Sequence, residues 1–319
     1  MNADALKKLE QIGFLPTVDV ADAAKAVETA KALNEGGIGA SLASARDAES
    51  VGALAAIRAA LPELVLGACV ATAENVDAAI SAGADFVVSA GLNPALVEYC
   101  VGKNVAIVPG ATTASEIEVG VALGLTVFNF FPAPVAGGLA AIKALAEAFP
   151  TVRFVPTGAV DWADVDAYSR CGAVSAIGGR FIAPCSAIAC GDWAGIAANA
   201  KRAVDLLLGL EMGHVGINCE TSDEAGATAD WFFKTFGLAT RETAISFFAG
   251  AAVETMKAPS FGAKGHIGIA ANSADRAAYH LQLRGVEFRA FKRSPDGTLI
   301  AAYLTEEIGG FAVHLCPKY

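Results

Sequence analysis

The sequence predicts an α/β protein in two parts: a (β/α)8 barrel over residues 1–208, then a small α+β domain over residues 212–319. Three observations predict it. From residue 1 to about 205, an Ala-rich helical segment ends at a glycine and a short apolar run follows, repeatedly. Near-continuous apolar strands between helices mean a parallel sheet covered on both faces. That texture stops after Leu206–Leu210. Beyond it, the string Gly-His-(Val/Ile)-Gly-Ile occurs twice, at Gly213–Ile217 and Gly265–Ile269.

Taken in order, the first part offers eight strands: Phe14–Thr17, Ile38–Leu42, Val65–Ala68, Phe86–Ser89, Val105–Val108, Thr126–Phe131, Arg153–Pro156 and Ala173–Ile177. Several follow a glycine placed to take the left-handed position past a helix: Gly36-Gly37, Gly83, Gly102, Gly124 and Gly172. Eight β/α units in about 200 residues make a minimal barrel, with an open doubly wound sheet as the alternative. The second part reads strand at His214–Asn218, amphipathic helix at Asp223–Phe236, and strands at Ile245–Phe248 and Ala251–Met256. His266–Ala270, Ser273–Arg284, Gly285–Phe291, Leu299–Leu304 and Phe311–Leu315 repeat that order. The boundary between the parts falls near residues 208–213.

Composition narrows the function. The chain is 54% hydrophobic and 18% charged, which suits tight helix-on-sheet packing. Its net charge of −10 argues against nucleic acid, whose phosphates need a basic surface. Seven scattered cysteines without a Cys-x-x-Cys pair point to a reducing cytoplasm. Met1–Asp4 does not begin a secretory signal. Val119–Ile142 is free of charge, yet Pro132, Pro134, Gly137 and Gly138 interrupt it, so a buried strand and turn are expected there and no membrane partner.

Chemistry in a barrel sits at the C-terminal strand ends. Those ends carry Pro109-Gly110-Ala111-Thr112-Thr113, Phe130-Phe131-Pro132-Ala133 followed by Gly137-Gly138, Arg153-Phe154 with Pro156-Thr157-Gly158, and Gly178-Gly179. In order and spacing they resemble the 2-keto-3-deoxy-6-phosphogluconate and 4-hydroxy-2-oxoglutarate aldolases across residues 10–205. The resemblance implies a class I aldol cleavage through a sixth-strand lysine imine and a second-strand glutamate, in a homotrimer. It places Asn129 at the lysine position and Leu42 at the glutamate position. A carboxamide cannot form an imine, which needs a deprotonated amine. No lysine lies between Lys31 and Lys103, and Lys143 belongs to the helix after strand six. Ala90, Cys69, Val70, Ala159 and Arg180 are further departures. Arg46 keeps the family's carboxylate-holding position, and Thr157, Gly158, Gly178 and Gly179 keep an anion cradle. A helix N-terminus expected after Gly179 would add to that cradle, as would the Arg180 fork. A small oxo acid or phosphorylated sugar acid is the implied partner; solvated or intersubunit arginines are the alternative.

The repeat echoes further. Ala252-Val253-Glu254 follows the first copy and Ala312-Val313-His314 the second. The domain resembles the glyoxalase or vicinal-oxygen-chelate superfamily, built of two βαβββ modules, over residues 212–317. That resemblance implies a metal centre of His214, Glu254, His266 and His314, with His314 standing where glutamate is more usual. His280 has no counterpart and reads as a surface or packing residue. Such a donor set suits zinc, nickel, cobalt, iron or manganese, and core hydrogen bonding is the alternative. Three functions follow as expectations: a degenerate lyase, a metal-dependent enzyme on a small oxo or hydroxy acid, or a non-enzymatic sensor of such acids.

Overall fold

The computed structural model describes residues 3–18, 22–295 and 297–318. The chain divides into two compact units, Met1–Leu207 and Leu208–Tyr319.

The first unit is an α/β fold on a curled parallel sheet. Its strands are β1 (Phe14–Val18), β2 (Ala40–Ser44), β3 (Val65–Cys69), β4 (Phe86–Val88), β5 (Ala106–Val108), β6 (Val127–Phe130), β7 (Arg153–Pro156) and β8 (Ile177–Gly179). Six of them form one sheet in the order β5-β4-β3-β2-β1-β8, and β6 pairs with β7. Single parallel bridges, Gly110 to Asn129 and Phe154 to Val174, link that pair to its neighbours on both sides. The last strand starts later than the expected Ala173–Ile177. Its ladder is with β1, where Phe14 faces Ile177 and Pro16 faces Gly179, so Val174 makes only a bridge to Phe154.

Local rules explain the helices between. Those starting at Ala23, Ala48, Ala73, Pro94 and Ala114 are each capped by the side chain before them: Asp22, Asp47, Thr72, Asn93 and Thr113. A cap satisfies one otherwise orphaned N–H. After the helix Pro94–Gly102 the left-handed position falls to Asn104, at φ 58°, not to the expected Gly102. Asparagine tolerates this conformation better than most residues. Phe14, Phe86, Phe128, Phe130 and Phe154 are fully buried, each contributing about 1.5–3 kcal/mol through apolar burial.

The second unit is one eight-stranded sheet with two helices. The strands are β9 (Glu211–Asn218), β10 (Thr240–Glu242), β11 (Ser246–Ala249), β12 (Val253–Met256), β13 (Gly265–Ala271), β14 (Phe288–Arg293), β15 (Leu299–Ile308) and β16 (Phe311–Pro317). Their spatial order, β10-β11-β12-β9-β13-β16-β15-β14, is the same four-strand sequence written outward from the β9/β13 seam in both directions. At the seam β9 and β13 run antiparallel; β12 and β16 flank them in parallel. The helices Ser222–Phe236 and Ala274–Leu283 occupy equivalent places in the two modules. Thr255 Oγ1 donates to the Ala225 carbonyl of the first helix, so Thr255 faces the helix and its neighbour Glu254 the opposite face. No helix of the described residues is long and apolar enough to cross a membrane.

Candidate functional site

A cleft of about 560 Å³ opens at the C-terminal ends of the first unit's strands. Arg46, Thr157, Gly158, Gly179 and Arg180 line it, together with Leu42 and Asn129. Gly178 does not; a side chain there would collide with Thr157, so its smallness serves strand packing. The expected helix N-terminus after Gly179 is displaced, since the next helix begins only at Cys185 beyond Pro184. Thr17, Ser44, Cys69 and Ser89 also line the cleft, and sequence reasoning did not single them out as ligand contacts.

Asn129 sits at the cleft floor, 4% exposed. Its Nδ2 donates to the Ser89 carbonyl at 3.0 Å, and its Oδ1 accepts from the Thr157 hydroxyl. Each end of the amide is therefore bonded to another strand end, one after β4 and one after β7. Leu42 is buried beside it, presenting no titratable group. Among the described lining residues there is no lysine. The cleft's cations are Arg46 and Arg180, both exposed, at the ends of β2 and β8.

The second unit concentrates its polar chemistry on one face of the sheet. Register does the placing. On one line across the strands, Phe248 faces Glu254, Glu254 faces Gly216, and Gly216 faces His266. On the next, Tyr303 faces His314, His314 faces Gly268, and Gly268 faces His214. The two lines are the same pattern read from opposite edges. Each glycine of the repeated string lies opposite the other copy's histidine. A side chain at Gly216 would overlap the His266 ring, and one at Gly268 the His214 ring.

These rows bring four donors together. His214 Nε2 lies 3.2 Å from His266 Nε2, 3.3 Å from His314 Nε2 and 3.4 Å from Glu254 Oε2. His266 Nε2 lies 3.0 Å from the same carboxylate oxygen. All four residues are buried. The three imidazoles form a group able to hold a metal ion. His314 Nδ1 is 3.1 Å from the Leu315 carbonyl, which sets the proton on Nδ1 and turns the Nε2 lone pair toward the centre. His266 Nδ1 is buried without a partner among the described residues.

The electrostatics of the group centre on the Glu254 carboxylate. Burial opposes ionisation of Glu254, but hydrogen bonds from His214, His266 and Ser246 hold it well below the usual carboxylate range. Burial also opposes protonation of His214; bonds to Cys316 and Glu254 outweigh it and push that pKa up to about 9. His314 is taken down to about 4, first by burial and then by charge on His266 and His214. His280, expected at the surface or in packing, is buried on the helix Ala274–Leu283.

Comparison with known proteins bears on the first unit. The chain is 38% identical over 200 residues to the 2-dehydro-3-deoxy-phosphogluconate aldolase of Treponema pallidum, covering 62% of this chain and 95% of that one. With the KHG/KDPG aldolase of Escherichia coli K12 it shares 35% over 192 residues, 60% of this chain and 90% of the other. Among solved structures, the KDPG aldolase of Legionella pneumophila, with pyruvate captured as a covalent carbinolamine, aligns at TM-score 0.60 and 28% identity. That match covers 62% of this chain and 97% of the other. The Zymomonas mobilis 2-keto-3-deoxy-6-phosphogluconate aldolase with 3-phosphoglycerate aligns at 0.58 and 33%, over 62% and 94%. A family profile for KDPG and KHG aldolases matches residues 5–199, more than half of the chain. With its strand-end cleft and this continuous match, the chain belongs to the KDPG and KHG aldolase family.

Proposed function

We propose that this aldolase-family protein binds a small oxo acid or phosphate in its cleft without imine chemistry, and that its reactive centre is a divalent metal ion on His214, Glu254, His266 and His314. The convergence of three Nε2 atoms and one carboxylate oxygen carries the reading. At these separations His214 Nε2 faces three acceptor-type atoms and has at most one hydrogen to offer, whereas an ion serves all four donors together. Imidazole and carboxylate donors fit zinc, nickel, cobalt, iron or manganese and not calcium or magnesium, which take oxygen. Bound there, the ion supplies a Lewis acid for a substrate with two neighbouring oxygens. The protein's own part is orientation: Leu315 holds the His314 tautomer, and Gly216 and Gly268 leave room for the rings. The module order supports a vicinal-oxygen-chelate relationship for this unit.

For the first unit, we infer that the eight strands close into a barrel, with the two single bridges as its seams, and that the family's trimer is its assembly. The relatives solved with pyruvate and 3-phosphoglycerate support an anionic ligand for the Arg46 and Arg180 cleft. Asn129 is the reason to exclude an imine, because an amide nitrogen has no basic lone pair to attack a ketone.

Two measurements test this. Metal analysis of untagged protein is expected to give close to one equivalent per chain; below about a tenth the centre is rejected. Borohydride with pyruvate is expected to leave the chain unmodified, while Asn129→Lys becomes covalently trapped. Trapping of the unaltered chain would show another amine at work.

A further inference from the structure

The two modules match at the ligands but not beyond them. The residue next outward from Glu254 is Phe248; the one next outward from His314 is Tyr303. The Tyr303 ring stacks on the His314 imidazole, centroids 4.8 Å apart and planes 26° apart. Tyr303 is 5% exposed, and its hydroxyl has no hydrogen-bond partner among the described residues. The ring is covered while its unpaired hydroxyl is not among the fully buried polar atoms, so that oxygen is open to a ligand.

Two cations stand around that ring. The Lys292 ammonium lies 4.9 Å from the Tyr303 centroid and 5.9 Å from that of Phe261. It has no carboxylate partner among the described residues. The Arg289 guanidinium lies 4.3 Å over Phe261, whose ring meets Tyr303 edge-on at 4.9 Å. Arg289 falls where the β14–β15 register slips between Phe288 and Ala290. An extra residue at such a slip re-aims its side chain, here toward the ligand face. One Arg289 nitrogen pairs with Glu307 at 3.0 Å, so the group keeps one net positive charge. Lys292 is exposed, so its ammonium, resting against the aromatic rings without a counter-ion among the described residues, is open to an incoming anion.

We propose that Tyr303, Lys292 and Arg289 form an anion-binding subsite beside the histidine–glutamate centre, and that the sheet takes a short acid with two anionic groups, one at that centre and one at Lys292. The proposal rests on the metal-centre reading and adds substrate class to it. A monocarboxylate would leave the ammonium unanswered; a dicarboxylate answers both ends. Tyr303 Oη donates to the bound acid between them.

The test uses the full chain loaded with cobalt, whose visible spectrum reports only on the metal-holding unit, with cobalt content measured in parallel. Titration with 2-oxoglutarate is expected to shift the spectrum saturably, at concentrations about ten-fold below those pyruvate needs, a difference of about 1.4 kcal/mol. Lys292→Met is expected to hold cobalt normally and lose that preference; Tyr303→Phe is expected to weaken both acids. Equal affinities for the two acids, or a preference untouched by Lys292→Met, overturn the subsite while leaving the metal centre standing. Failure to take up cobalt overturns the centre itself.

Discussion

At the scale of single residues, the repeated glycines are as telling as the histidines. Gly216 and Gly268 lie opposite His266 and His214, and their missing side chains are the space the rings fill. Gly216→Ala or Gly268→Ala is expected to lower metal affinity about ten-fold or more, in line with losses of supporting contacts at metal sites. Equilibrium dialysis checks it, with circular dichroism confirming the sheet. The four clustered side chains were legible because the duplication marks them; the reason for the glycines was not, because it depends on which strands pair. Ala159 is a second case. It sits at φ 59°, in the left-handed region that costs a β-carbon about 1–2 kcal/mol. Ala159→Gly is therefore expected to stabilise the first unit by up to about 1 kcal/mol after the entropy loss of glycine, measured by urea unfolding.

Among the elements, legibility followed apolar content. β7 appears with the bounds its sequence suggests, because three of its four residues, Phe154, Val155 and Pro156, are buried. β10 was illegible: Thr240, Arg241 and Glu242 are all exposed on an edge, with no alternation to read. β8 was misplaced because Ala173–Ile177 is apolar but for Ser175, while its ladder is chosen by β1. Capping gives an element-scale prediction. Glu116 closes a capping box, accepting from the Thr112 and Thr113 N–H groups and from the Thr113 hydroxyl. Burial would raise its pKa, but these bonds outweigh it and leave it below 4.5. A depressed carboxylate contributes stability that is fully present above its unfolded value and lost as pH falls through the folded one. Glu116→Gln is thus expected to be less stable than the unaltered chain at pH 7, with the gap closing below about pH 4.5. Denaturant titrations at a series of pH values measure it.

For the whole molecule, division into two compact units predicts two thermal transitions. Removing metal with a chelator is expected to lower only the one belonging to the C-terminal sheet. An ion present at a hundred times its dissociation constant supplies about 2.7 kcal/mol, enough to move a domain of that size by several degrees. Calorimetry of Leu208–Tyr319 signals within the intact chain, with and without chelator, reads this directly. The aldolase fold of the first unit was open to sequence reasoning because strand-end motifs recur in order. The depth at which Asn129 is wired to Ser89 and Thr157 was not, since three strands must first come together.

The seam between β9 and β13 has an ancestral consequence. A free-standing copy of either half would have to pair with itself to gather four such side chains. Two of the earlier half would offer a pair of imidazoles with a pair of carboxylates; two of the later half would offer imidazoles alone. Joining unlike copies in one polypeptide is what makes three-to-one attainable, and it lets each flank diverge without the other following.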